Sequence, residues 1–215
     1  MYVIGIDLSG PANAADTAIV SFRLQGDKLL LSEALSGADD HSIIGRFQQW
    51  AAEEDVVTGI DAPLSYNVGG GDRPGDARLR AAIIAAGLRS GTVMPPTLNR
   101  MVYLTLWGIA VSRLLQTIEP RTPSSIVEVH PSATISLRGG PIQHALVFRA
   151  DVNARWGLLN WLEGQGLKGI AAIEAPSAHY VAACACALAA WKWSIGQSSW
   201  VEVASPPIHP FDFAC

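Results

Sequence analysis

Apolar and polar positions change period along the chain, and each change marks a new element. The first run, YVIGID (Tyr2–Asp7), is apolar and β-branched throughout, which predicts a buried strand. GPANAAD then reads as a turn. Two further β-rich runs follow, TAIVSFRL and KLLLSEAL, split by the turn signal QGD, so a three-stranded antiparallel meander is expected. In HSIIGRFQQWAAEE the apolar positions Ile43, Ile44, Phe47 and Trp50 recur at helical spacing. DVVTGIDAPLSY returns to a β-branched run and leads into a Gly-rich loop, NVGGGDRPGD.

The middle of the chain is predominantly helical. DARLRAAIIAAGL predicts one amphipathic helix and LNRMVYLTLWGIAVSRLLQTI another, long one. SSIVEVHP is a short strand stopped by Pro131. ADVNARWGLLNWLEGQG is a helix ended by Gly, and an Ala-rich helix follows Pro176. SWVEVAS is a last short strand or extended tail. The order is β-β-β-α-β, a helical stretch, then β-α-α. Hairpins suit the first three strands, and long helical connections suit parallel pairing of the fourth and fifth. The expected class is α/β: a mixed five-stranded sheet flanked by helices, in a single domain over residues 1–215, with a helical insertion after strand four at about 67–120.

Composition narrows the function classes. The chain has 215 residues and is 49 % hydrophobic, enough for a sizeable core. Only 16 % are charged and the formal net charge is −4, which argues against a mainly electrostatic nucleic-acid binder but leaves room for a local basic groove. Cys184, Cys186 and Cys215 form no metal or redox motif and read as small buried thiols in a reducing compartment. The N-terminus runs straight into strand pattern without a basic leader, and no apolar run reaches the roughly 18 residues of a membrane span. A cytoplasmic protein without a membrane partner is therefore expected; the pattern carries no signal for oligomeric state.

Three carboxylates share a context. Asp7 ends the first strand in GIDLSG, Asp61 ends the fourth in GIDAPL, and Glu128 lies in the fifth in VEVHPS. A buried strand keeps a carboxylate only when it is paired or bound to a cation. Three that converge at one sheet edge would repel one another until a hard cation neutralised them, which points to Mg²⁺ or Mn²⁺. Two such ions about 4 Å apart can activate water and stabilise a leaving oxygen in phosphodiester cleavage. The bland alternative for each acid is a turn or cap carboxylate.

Other candidates are less specific. His130 follows Glu128 by two residues, so on a continuing strand both would share a face; it is read as a ligand, a base, or a cap before Pro131. DRPGDARLR gathers Arg73, Arg78 and Arg80, read either as a guanidinium clamp for phosphate or as a solvated helix start with internal ion pairs. GIDLSGPANAADTA has the small residues of a phosphate-binding turn, but lacks a P-loop Lys and dinucleotide-type glycine spacing. Trp107, Trp156, Trp161, Trp191 and Trp193 sit at helical positions and read as core or interface anchors rather than base-stacking platforms.

Taken in order, GIDLSGP, GIDAPLS, RPGDARLR, VEVHPSA and HYVAACACALAAW resemble the family called domain of unknown function 429, from Val3 to about Trp193. Members of that family are described as predicted nucleases with an RNase H-like fold. The resemblance implies acidic residues from the first strand, the fourth strand and the last helix. Asp7 and Asp61 match the first two places, and Glu128 an acidic fifth-strand position. In the helix the related motif has His, two residues, then Asp. Here the residues are His179, Tyr180, Val181 and Ala182, so Ala182 stands where a metal-binding Asp is expected. The resemblance thus implies a metal-dependent nuclease or phosphodiesterase, impaired by that Ala. Asp7, Asp61 and Glu128 would hold the metal, His179 would handle protons, and the substrate would be nucleic acid or another phosphate ester. Two rivals remain open: a non-catalytic module binding a nucleotide, an anion or a protein on the same fold, and a phosphotransferase related to actin-like ATPases.

Overall fold

The computed structural model describes residues 1–118 and 123–215. The expected meander is present: β1 (Tyr2–Asp7) pairs antiparallel with β2 (Ala18–Gln25), which pairs antiparallel with β3 (Lys28–Ser36). Helix α1 (Asp40–Ala51), capped by the Asp39 carboxylate on Ser42 N, carries the chain to β4 (Val56–Asp61), parallel to β1. Helices α2 (Pro74–Ala85) and α3 (Val102–Thr117) occupy the expected insertion as far as its described residues reach; residues 119 and 120 lie outside them. β5 (Ser124–Val129) then joins parallel to β4.

The second half adds elements that the hydrophobic pattern does not announce. Pro131 does not only stop β5; it opens the short helix α4 (Pro131–Leu137), followed by α5 (Ile142–Ala145). Helix α6 (Val152–Gly164) leads to β6 (Leu167–Lys168), and α7 (Ala178–Ser194) to β7 (Val201–Glu202) and β8 (Phe213–Ala214). Among the described residues the strands form one mixed sheet of eight, ordered β6-β3-β2-β1-β4-β5-β8-β7. The expected count of five is therefore too low. The additions are two-residue strands, too short to show any period.

Each face of the sheet has its own core. Ile4, Ile6, Ile19 and Ile60 pack with Phe47 and Trp50 of α1 and Trp107, Val111 and Leu115 of α3. Val3, Val20, Phe22, Val57 and Val127 point the other way, against α7, α6 and α4. Helix α7 lies unusually close to the strands. A Cβ at Gly5 would stand 1.9 Å from Ala183 O, and one at Gly59 would stand 2.5 Å from Cys186 O. The glycine of each GID motif is thus the place where the helix backbone rests on the sheet. The alanines and cysteines of α7 are the matching small side. His179 reaches Asp7 at the end of β1 while Ala183 covers Gly5, so α7 runs antiparallel to β1 with its N-terminus over the carboxyl ends of β1 and β4.

Candidate functional site

The parallel register of β1 and β4 pairs Asp7 with Asp61, placing both side chains on the α7 face. The two carboxyls share a hydrogen bond. Asp7 is buried; Asp61 keeps a part-exposed edge, although protein atoms crowd its carboxyl group. Burial is the main cause that raises Asp7 to about 6, opposed by the hydrogen bond from Asp61 and by the positive charge of Arg149. Asp61 is pushed well above the carboxylate range, first by burial and then by the charge of Asp7. Two carboxylates this close cannot both ionise at little cost, so Asp61 holds a proton and donates it to Asp7.

His179 completes a chain of three groups. Its Nδ1 lies 2.5 Å from Asp7 Oδ2. An ionised Asp7 only accepts, so Nδ1 carries the hydrogen and Nε2 presents a lone pair. Nε2 has no hydrogen-bond partner among the described residues, and the side chain is about a quarter exposed (26 %). Burial, followed by Arg149, lowers the His179 pKa, which favours the neutral ring. The α7 N-terminus is capped by Ser177 Oγ on Tyr180 N, and its positive dipole end favours the negative charge on Asp7.

Glu128 takes a different place from the one expected. Its register partner is Ile60, so the pleat sends it to the face opposite Asp61. There Arg73 holds it through Nη1 at 2.7 Å and Nη2 at 2.5 Å, and Leu64 N donates to Oε2 at 2.8 Å. Arg73 also grips Asp76, with Nη2 2.7 Å from Oδ1, while Asp76 accepts Arg73 N and so caps α2. Burial works against the Arg73 charge, but Glu128 and Asp76 outweigh it and hold the guanidinium firmly protonated. Among the described residues no group of three or more His, Cys, Asp or Glu is disposed to hold a metal ion. The three-carboxylate cluster expected from Asp7, Asp61 and Glu128 is thus a pair plus a separately neutralised acid.

The other arginines of the clamp are occupied as well. Arg78 makes a surface ion pair with Glu202. Arg80 binds Asp72 through both terminal nitrogens and Val93 O through Nε at 3.0 Å. Of the three, Arg73 alone borders the space beside Asp61, and its donors are in use. His130 is also fully engaged. It caps α4 by accepting Ala133 N at Nδ1 (3.3 Å), and its Nε2 donates to Thr92 O (2.9 Å). The chain leaves the strand at Val129, so the shared face expected for Glu128 and His130 does not arise.

Beside Asp61 opens a cavity of about 480 Å³, with His130 and Glu128 in its lining. Arg89 and Arg149, two cations that the sequence pattern does not single out, also line it. The charge of Arg149 reaches Asp7, Asp61 and His179. Nothing local in VFRADVN marks Arg149; only the fold brings it to the carboxyl pair. Ala182 is buried one turn after His179 and one turn before Cys186, whose thiol is raised by burial and then by the charges of Asp61 and Asp7. Cys184 and Cys215 are likewise free and buried.

No curated protein and no solved structure matches the chain. A family model described as "Protein of unknown function (DUF429)" matches residues 5–205. That span holds both GID motifs, the Arg73–Asp76 helix start, Glu128 and the His179 helix. By this match over nearly its whole length, the chain belongs to the DUF429 family.

Proposed function

We propose that the protein is a divalent-metal-dependent phosphodiesterase or nuclease-like hydrolase on an RNase H-like core, with Asp7 and Asp61 at the reacting centre. The observation that carries this reading is the buried, proton-sharing carboxyl pair whose Asp61 lines a cavity together with Arg89 and Arg149, two guanidinium groups without a hydrogen-bond or ion-pair partner among the described residues. An antiparallel meander followed by two parallel strands, with acids at the ends of the first and fourth, supports the RNase H-like assignment.

The pair fits one hard cation. Two adjacent carboxylates are a sufficient protein share for Mg²⁺ or Mn²⁺, which complete their shell with water and substrate oxygens. Glu128, neutralised by Arg73, is left out of the ligand set. A bound cation would supply charge neutralisation and polarise a phosphoryl oxygen. The protein's own groups then have defined tasks. Asp7 fixes the His179 tautomer and ring, His179 Nε2 takes the proton of an attacking water, and Asp61, its proton released to solvent, would hold the cation together with Asp7. Hydrolysis of bis(p-nitrophenyl) phosphate with Mg²⁺ or Mn²⁺ tests this. Activity should vanish in EDTA and in Asp7→Asn and Asp61→Asn, and should fall about 100-fold or more in His179→Ala. Turnover that survives both Asn substitutions would refute the assignment.

Ala182 favours a second reading, a non-catalytic module that binds a nucleotide, an anion or a protein. With no carboxylate on α7, the pair lacks the further acid the family motif carries there. On this reading the same cavity binds its ligand with or without metal, and no turnover follows.

A further inference from the structure

The cavity beside Asp61 has two unlike kinds of lining. Arg89 and Arg149 line it, and so do the apolar side chains of Met94, Met101 and Leu104. Among the described residues neither guanidinium has a hydrogen-bond or ion-pair partner; Arg149 only rests 5.7 Å over the neighbouring Phe148 ring. Arg73, Arg78 and Arg80, by contrast, are each matched to carboxylates. Guanidinium groups without such partners are suited to bidentate capture of a phosphate; both line the cavity with Asp61, and the charge of Arg149 reaches the carboxyl pair.

Both arginine-bearing segments are held in place. Arg155 Nε donates to Phe148 O at 2.7 Å and its Nη2 to Arg149 O at 2.9 Å, which fixes the backbone that carries Arg149. The segment after Arg89 is pinned by His130 on Thr92 O and by Arg80 on Val93 O. Residues that look like binding groups in the sequence thus shape the container. The volume, about 480 Å³, suits one small organic molecule rather than a polymer strand lying across a surface.

We propose that the cavity binds a phosphate ester of mononucleotide size, with its phosphate held by Arg89 and Arg149 beside Asp61 and its planar or apolar part against Met94, Met101 and Leu104. The site would then act on a small phosphate ester and not on a nucleic-acid strand. As a statement about substrate this rests on the hydrolase reading above; as a statement about binding it does not.

Calorimetric titration in EDTA separates the two, because turnover is absent. The probes are adenosine 5′-monophosphate, adenosine, inorganic phosphate and a 12-nucleotide single strand. The monophosphate should bind at least tenfold more tightly than adenosine or phosphate, and the 12-mer no more tightly than the monophosphate. Arg149→Ala and Arg89→Ala are exposed substitutions, and each should weaken monophosphate binding at least tenfold with an unchanged melting temperature. No monophosphate binding, or affinity unchanged in both variants, would overturn the proposal. So would a 12-mer bound much more tightly than the monophosphate with a steep salt dependence, which would assign the site to a strand. Binding as expected without metal-dependent turnover would keep this subsite and remove the hydrolase reading alone.

Discussion

Two buried charge clusters lie at the carboxyl edge of the same sheet, and they are balanced in opposite ways. In one, Arg73 sits between Glu128 and Asp76 with every terminal nitrogen engaged, and Leu64 N and Ser65 Oγ fill further positions. In the other, Asp7 and Asp61 face each other with one proton, one imidazole and the charge of Arg149. The first cluster has no free valence and serves as scaffold. The second remains under-neutralised, and only a proton or a cation can complete it. The comparison separates a buried carboxylate that holds the fold from one that can do chemistry: the distinction is made by the neighbours, not by burial.

The largest effect should come from opening the closed cluster. Arg73→Ala leaves Glu128 and Asp76 buried without a counter-ion, a loss of roughly 3–5 kcal/mol by analogy with other broken buried pairs. Arg73→Lys should recover only part, because an ammonium cannot span two carboxylates as a fork does. Urea unfolding at pH 7 measures both; a cost under about 1 kcal/mol for Arg73→Ala would place this cluster on the same footing as a surface pair.

The open cluster should respond to pH instead. The native state holds protons on Asp7 and Asp61 that the unfolded chain releases near pH 4. Between there and the raised native values the folded state binds more protons, so in EDTA stability falls as pH rises from about 4 through 6 and beyond. For Asp7 alone the shift is worth about 3 kcal/mol. Asp61→Asn keeps a donor to Asp7 and removes the second acid, so its stability should fall less steeply than the parent's between pH 5 and 8. Equal slopes would deny that the two acids are coupled. Mn²⁺ should flatten the parent's curve and leave that of the Asn variant nearly unchanged.

A smaller effect is expected at Ala182. Ala182→Asp adds a carboxylate to a buried position on α7 one turn from His179, and in EDTA should cost about 1–3 kcal/mol. Mn²⁺ should return that loss and bind more tightly than to the parent. Thermal melting with and without Mn²⁺ decides it: a variant that melts early in both conditions would mean that position 182 does not face the pair.

Much of the frame was legible in the chain, because long periodic segments dominate it. The meander, α1, β4, the two insertion helices and α7 all follow from apolar spacing and from turn and cap residues. The site was only half legible. The two GID motifs marked the paired acids, since the glycine and the acid serve one purpose: close approach of α7 and a carboxyl at its N-terminus. Glu128 was misplaced by the parity of a strand. It pairs with Ile60 rather than with Asp61, and a difference of one residue in register turns a side chain to the opposite face. Parity between separate strands is a tertiary property that no local pattern carries. The same holds for Arg73, whose partner Glu128 lies 55 residues away, and for Arg149, which has no hydrogen-bond or ion-pair partner among the described residues.

The seating of α7 on Gly5 and Gly59 bears on how a molecule reaches Asp61. Helix and strands touch backbone to backbone there, so no side chain can swing aside to open a passage, and local fraying of α7 would require the core of that face to come apart. This floor breathes only when the whole domain does. The walls around Arg89 and Arg149 are held by a few side-chain bonds to carbonyl oxygens, which open at far lower cost. On the proposed binding mode, entry and exit would run over the arginine-bearing loops, and an arriving anion would meet Arg89 and Arg149 there.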